Sequence, residues 1–139
     1  MQNTGIGGHK IGAYVSVNPK DIQEVKTAIY LFGSNLLGVQ LPLIAQDQLA
    51  WRIPPMDING QDTSAGSWGG HGIPNMAYDY TGTYVVTWGQ ILFTDWNFFT
   101  TYFDEVWAVI SPDFINGTKP SPNGFDMNAL VADLNAIQQ

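Results

Sequence analysis

The stretch Gly69-Gly70-His71-Gly72-Ile73-Pro74-Asn75-Met76-Ala77-Tyr78-Asp79-Tyr80-Thr81-Gly82-Thr83-Tyr84-Val85-Val86-Thr87-Trp88-Gly89 decides how the chain is read. Ile73 to Asp79 and Thr83 to Trp88 hold Ile, Tyr, Val and Thr, side chains that suit a pleated, half-buried surface, and Thr81-Gly82 between them is a turn signal. The two runs predict an antiparallel hairpin. A histidine stands at the mouth of its first strand, and Trp88-Gly89 ends its second.

Upstream, Leu36 to Leu41 reads as a buried strand ended by Pro42, because proline cannot donate to a sheet ladder. Before it, Ile22, Val25, Ile29 and Phe32 form one helical stripe, which Gly33 can close with a left-handed residue. Asn18-Pro19 predicts the start of that helix, with Asn accepting from first-turn N–H groups and Pro at the first helical position. Lys10 to Val17 predicts a further strand. Downstream, Thr94 and Asp95 open a short helix bearing Trp96, Phe99 and Phe103, followed by a strand from Val106 to Ile110. Asp126 caps a last helix with Leu130, Leu134 and Ile137, and Phe125 can staple onto Leu130. Leu43 to Gly70 lacks periodicity and reads as a long functional or tightly packed loop. The expected class is α+β, an antiparallel sheet with flanking helices, as one domain over residues 1–139 without repeat or linker.

Composition limits the function. The 139 residues are 45% hydrophobic and carry net −7, the wrong sign for a phosphate backbone or an anionic lipid surface, so neither a nucleic-acid nor a membrane partner is expected. No apolar run approaches the length of about 18 residues that spans a bilayer, and Met1 to Gly5 lacks the features of a signal peptide. A cytoplasmic or virion-associated chain is the default expectation. With no cysteine, this chain supplies neither a thiolate metal site nor a cysteine nucleophile.

Two histidines, His9 and His71, exist for acid–base work, and the surroundings of His71 single it out. A histidine opening a strand, a Tyr-rich turn, and a following strand that ends in Trp-Gly resemble the His-bearing C-terminal lobe of papain-like cysteine peptidases. Gly7-Gly8-His9-Lys10, Gly66-Ser67-Trp68-Gly69-Gly70-His71, Val86-Thr87-Trp88-Gly89 and Gly124-Phe125-Asp126 look like a bacterial and phage-borne branch of that superfamily. The resemblance covers nearly the whole chain. It implies His71 as general base and Trp88 as the ring that shields the hydrogen bond orienting it. The family's orienting residue is an asparagine, and counting back from Trp88 puts Val86 there, which cannot accept from an imidazole. Thr87 or Gln90 can take the role. The family's nucleophile lies on a separate N-terminal lobe without counterpart here, and acyl transfer needs base and nucleophile within hydrogen-bond reach.

Other chemistries fare worse. Ser67 lacks the Gly-x-Ser-x-Gly context of a nucleophile elbow. Gly5-Ile6-Gly7-Gly8 precedes a strand, so its N–H groups do not converge on a phosphate as they do when such a loop opens a helix. Two histidines with scattered aspartates have no metal-ligand spacing, and no metal or cofactor is expected. Asn116-Gly117-Thr118 reads as a turn. Trp51 and Trp68, on the long loop, are the aromatics left for ligand contact, as on a sugar-stacking platform.

The resulting expectation is a non-catalytic binding or structural protein derived from a papain-like lobe. The alternative is one half of a split peptidase or amidase whose cysteine lies on another chain. Expected partners are a protein or a second copy of the chain, covering an apolar patch near His71, Trp88, Trp51, Ile53 and Trp68, with a peptide or cell-wall glycopeptide as ligand.

Overall fold

A computed structural model describes residues 8–9, 11–53, 62–110, 124 and 126–137. Its centre is a six-stranded antiparallel sheet with spatial order β1-β6-β2-β3-β4-β5. The strands are β1 (Ala13–Ser16), β2 (Asn35–Leu41), β3 (Gly69–Tyr78), β4 (Gly82–Thr87), β5 (Gln90–Asp95) and β6 (Phe103–Ile110). The helices are α1 (Ile22–Phe32), α2 (Trp96–Tyr102) and α3 (Met127–Ile137). The expected α+β class holds.

Strand alternation places the core. Along β2, Asn35, Leu37, Val39 and Leu41 are buried, whereas Leu36 and Gln40 point the other way and are exposed. The inward rows of β3, β4 and β6 meet Val25, Ala28 and Ile29 of α1 and Phe98 and Phe99 of α2 in one apolar cluster. Fully burying a side chain of this size contributes roughly 1.5–3 kcal/mol. On the opposite face Leu36, Met76, Val86 and Ile91 are exposed.

The helix ends follow capping chemistry. Asp21 caps α1, its Oδ1 accepting from Gln23 N at 3.0 Å and Glu24 N at 3.1 Å. The helix therefore starts three residues later than Asn18-Pro19 suggests. Asn18 instead builds the preceding turn, where Asp21 N donates to its carbonyl at 3.1 Å and Lys20 N to its side chain at 3.0 Å. Gly33, at φ 82°, closes the helix by donating to Ile29 O. Asp95 caps α2 through Phe98 N, and Asp126 caps α3 through Asn128 N and Ala129 N.

Asp95 opens the short helix as expected, but the residues before it, Gln90–Asp95, form a strand that the sequence reading lacks, and Phe103, expected on that helix, begins β6 three residues before Val106. The long loop also contains a 3₁₀ turn, Leu43–Asp47, and then joins the sheet at Trp51, which bridges to Thr94 in parallel. Trp51 N donates to Phe93 O, and Asp95 N donates to Trp51 O. The indole of Trp51 is 0% exposed, stacked on Phe98 at 5.6 Å, so this residue belongs to the core and not to a ligand platform. Phe125, Asn116-Gly117-Thr118 and Gly5 to Gly7 lie outside the described residues.

Candidate functional site

His71 enters on β3, in the row of inward-pointing residues that continues with Ile73 and Asn75. It is half-buried. Thr87, 4% exposed at the end of the adjacent strand, brings its Oγ1 to 2.8 Å from His71 Nε2. The valine before it cannot do so. Val86 occupies the opposite face of β4, 38% exposed and paired with Ile91, because successive strand residues point to opposite sides. Gln90 pairs with Thr87 across the hairpin, but it is exposed and makes no hydrogen bond to His71. Of the four acid–base candidates the fold unites His71, Thr87 and Trp88 and leaves Gln90 out. Among the described residues His71 Nδ1 has no hydrogen-bond partner.

Trp88 lies nearly parallel to the imidazole, with ring centroids 4.9 Å apart and planes 7° from coincidence. Its backbone is unusual. Trp88 and Gly89 form a two-residue hairpin loop between Thr87 and Gln90, with φ of 45° and 74°, the paired positive values of a type I′ turn. Gly89 adopts this freely, whereas a bulky residue there is strained by about 1 kcal/mol or more. Trp68, the other loop aromatic, stacks on Trp88 at 5.2 Å and 28°.

Two grooves adjoin at His71. One, about 220 Å³, is lined by Leu41, Trp68, Gly69, Gly70, His71 and Trp88. The other, about 340 Å³, crosses the outer face of the sheet over Gly38, Gly70 and Gly72 toward Asp104 and Glu105. The carboxylates lie together because Gly38 pairs with Glu105 and Val39 with Phe103, leaving Asp104 as an extra residue in β6. A Cβ on Gly38 would lie 3.0 Å from that of Glu105, so glycine permits this close approach. Gln40 Nε2 donates to Asp104 at 3.0 Å, and Trp107 Nε1 to Glu105 at 3.4 Å. The pair arises from the bulge and not from a motif. Its only sequence signal is Phe103-Asp104-Glu105-Val106, two consecutive polar residues that break strand alternation.

The hydroxyl nearest in sequence is already engaged: Ser67 Oγ accepts from Leu43 N at 2.8 Å and donates to Asp62 O at 3.4 Å. Among the described residues no three His, Asp or Glu side chains converge to hold a metal, and no helix is long and apolar enough to cross a membrane. Comparison with protein-family models, with curated proteins and with solved structures finds no match to this chain.

Proposed function

We propose that this chain supplies the histidine half of a papain-like hydrolytic site, completed by a cysteine from outside these 139 residues. The observation that carries the reading is the His71 constellation, with Nε2 held by Thr87 at 2.8 Å, one ring face covered by Trp88 and Nδ1 without a hydrogen-bond partner among the described residues. An imidazole bound at one nitrogen and open at the other is arranged to exchange a proton with a nucleophile on its open side. Threonine takes the family's asparagine role from one residue further along the strand. Substrates of this class are peptides or cell-wall glycopeptides. The partner lobe would cover the face around Trp88, which is 56% exposed, and Ile53, which is 40% exposed.

A second reading, a non-catalytic binding or structural module whose exposed face is satisfied by a protein partner or a second copy, draws on a different observation. The chain has no thiol, and the hydroxyl of Ser67 is occupied.

Purification of the assembly containing this chain from its native source separates the two. The first reading expects hydrolysis of peptide or peptidoglycan substrates under reducing conditions, abolished by iodoacetamide and by His71→Ala, with the 139-residue chain inert alone. A reduced assembly that hydrolyses neither substrate and contains no cysteine-bearing partner leaves the second reading. Light scattering over a concentration series then distinguishes a self-associating chain from one that needs a different partner.

A further inference from the structure

We infer that Trp68 is a positioning residue for His71, acting through Trp88; the functional meaning rests on the reading of His71 as the base of the site. Trp88 is held where local preference would not put it. A type I′ loop favours Asn-Gly, and a tryptophan at φ 45° is strained. Burial does not hold it, since it is 56% exposed. What holds it is contact with other rings: His71 at 4.9 Å, Trp68 at 5.2 Å, and the edge of Trp51 at 6.2 Å. Each aromatic pair contributes roughly 0.5–1.5 kcal/mol beyond its buried area, enough together to offset the strain.

Trp68 is the fixed member of this stack. Its backbone N donates to Leu41 O at 3.0 Å, and its half-buried ring packs against the core. The segment leading to it is fastened twice more, by Ser67 Oγ accepting from Leu43 N and by Tyr102 OH donating to Thr63 O at 2.9 Å. Trp68 and His71 sit three residues apart on the entry to β3, while Trp88 arrives from the far end of β4. The fixed ring and the imidazole together define the place into which the strained ring docks.

The chemistry of Thr87 explains why a second tryptophan matters. A carboxamide oxygen only accepts, so it would select the Nε2–H tautomer by itself. A hydroxyl donates as readily as it accepts, so Thr87 keeps the Nε2–H form, its own oxygen accepting, only while the imidazole is held in place against it. Ring orientation and the dryness of the His71–Thr87 bond then depend on the indole lying over the imidazole. Trp68 keeps that indole in place.

The test uses the isolated 139-residue chain, ¹⁵N-labelled, with the His71 ring nitrogens assigned by comparison with His71→Gln. The wild-type chain is expected to show one tautomer, Nε2–H bound to Thr87 and Nδ1 bare, together with the circular-dichroism couplet of paired indoles. Trp68→Ala is expected to fold cooperatively, lose the couplet, and move both ring nitrogens toward tautomer-averaged shifts. Trp68→Phe, which keeps a stacking ring, restores the single tautomer. If Trp68→Ala fails to fold, Trp68→Leu retains apolar volume without a ring and is expected to show the averaged shifts. A folded Trp68→Ala or Trp68→Leu chain with the wild-type ring pattern overturns the inference, as does an averaged tautomer in the wild type. No substrate or partner enters this measurement, so its failure is distinct from that of the hydrolysis assay on the native assembly.

Discussion

The two turns that flank β4 are built on opposite principles. Before the strand, Asp79 organises Asp79-Tyr80-Thr81 locally: its carboxylate accepts from Thr81 N at 2.7 Å, Thr81 Oγ1 at 2.6 Å and Gly82 N at 3.0 Å. Tyr84 OH donates to its other oxygen at 3.0 Å. After the strand, Trp88-Gly89 has a tryptophan where the backbone favours glycine or asparagine, and ring contacts from other elements hold it. The first turn is organised by its own carboxylate, with Trp96 adding hydrogen bonds from its indole to Asp79 O and from its backbone to Thr81 O. The second is strained and covers the only half-buried histidine among the described residues. Strain retained beside a half-buried histidine is a pointer to function.

The comparison breaks most severely at Gly82, where the local turn passes into the sheet. A Cβ there would overlap the Thr94 carbonyl oxygen and the Phe93 ring, a clash with backbone that cannot swing away. Gly82→Ala is expected to destabilise the chain by about 3 kcal/mol, read from urea denaturation.

Asp79→Ala comes next. The hydrogen bond from the Thr81 hydroxyl, followed by those from the Thr81 amide, Tyr84 and Gly82, lowers the Asp79 carboxyl from 3.8 to about 2. A carboxyl more acidic in the folded state than in the unfolded one contributes stability that is complete above its unfolded value and is lost as pH falls toward its folded value. The wild-type urea midpoint should therefore decline between pH 4 and pH 2 through this group, taking these limits from its two values. Asp79→Ala should lower the midpoint at neutral pH and flatten this part of the profile. An unchanged acid limb would show that the turn is not held by its carboxylate.

Thr87→Val keeps the shape of the side chain and removes the hydroxyl. The expected cost is about 1 kcal/mol, the net worth of one hydrogen bond, with loss of the fixed His71 tautomer. Smallest in stability is Trp88→Asn, which exchanges the stacking contacts for a relaxed Asn-Gly turn and should leave stability within about 1 kcal/mol of the wild type. The imidazole should nevertheless become mobile. A large loss of stability in this variant would mean that Trp88 holds the fold and not only the histidine.

Much of the fold was legible locally. The α1 stripe, its closure by Gly33, the caps Asp95 and Asp126, β2 ending before Pro42, and the hairpin opened by His71 each rest on residues within a few positions of one another. β5 was hidden because Ile91 and Phe93 on its outer face are as apolar as Leu92 on its inner face, which erases the period of two. The early start of β6 was hidden by its bulge at Asp104. Of the site, His71 and Trp88 were readable as a pair, and Trp68 was noticed for its loop rather than for its neighbour.

The sequence by itself determined α1, β2, the hairpin of β3 and β4 and the caps of α2 and α3, that no thiol is available, and that Val86, Thr87 and Gln90 are the residues beside Trp88 to weigh as partners of His71. Tertiary structure alone decided among those three, because β4 turns alternate residues to opposite faces and the packing of α1 and α2 chooses which face is inner. It also decided that Trp51 is core, that Asp104 and Glu105 share a groove with His71, and that Trp88 remains at a positive φ. The physical reason is range. Capping, turns and periodicity act over a few residues, whereas register, burial and compensated strain depend on groups brought together from distant parts of the chain.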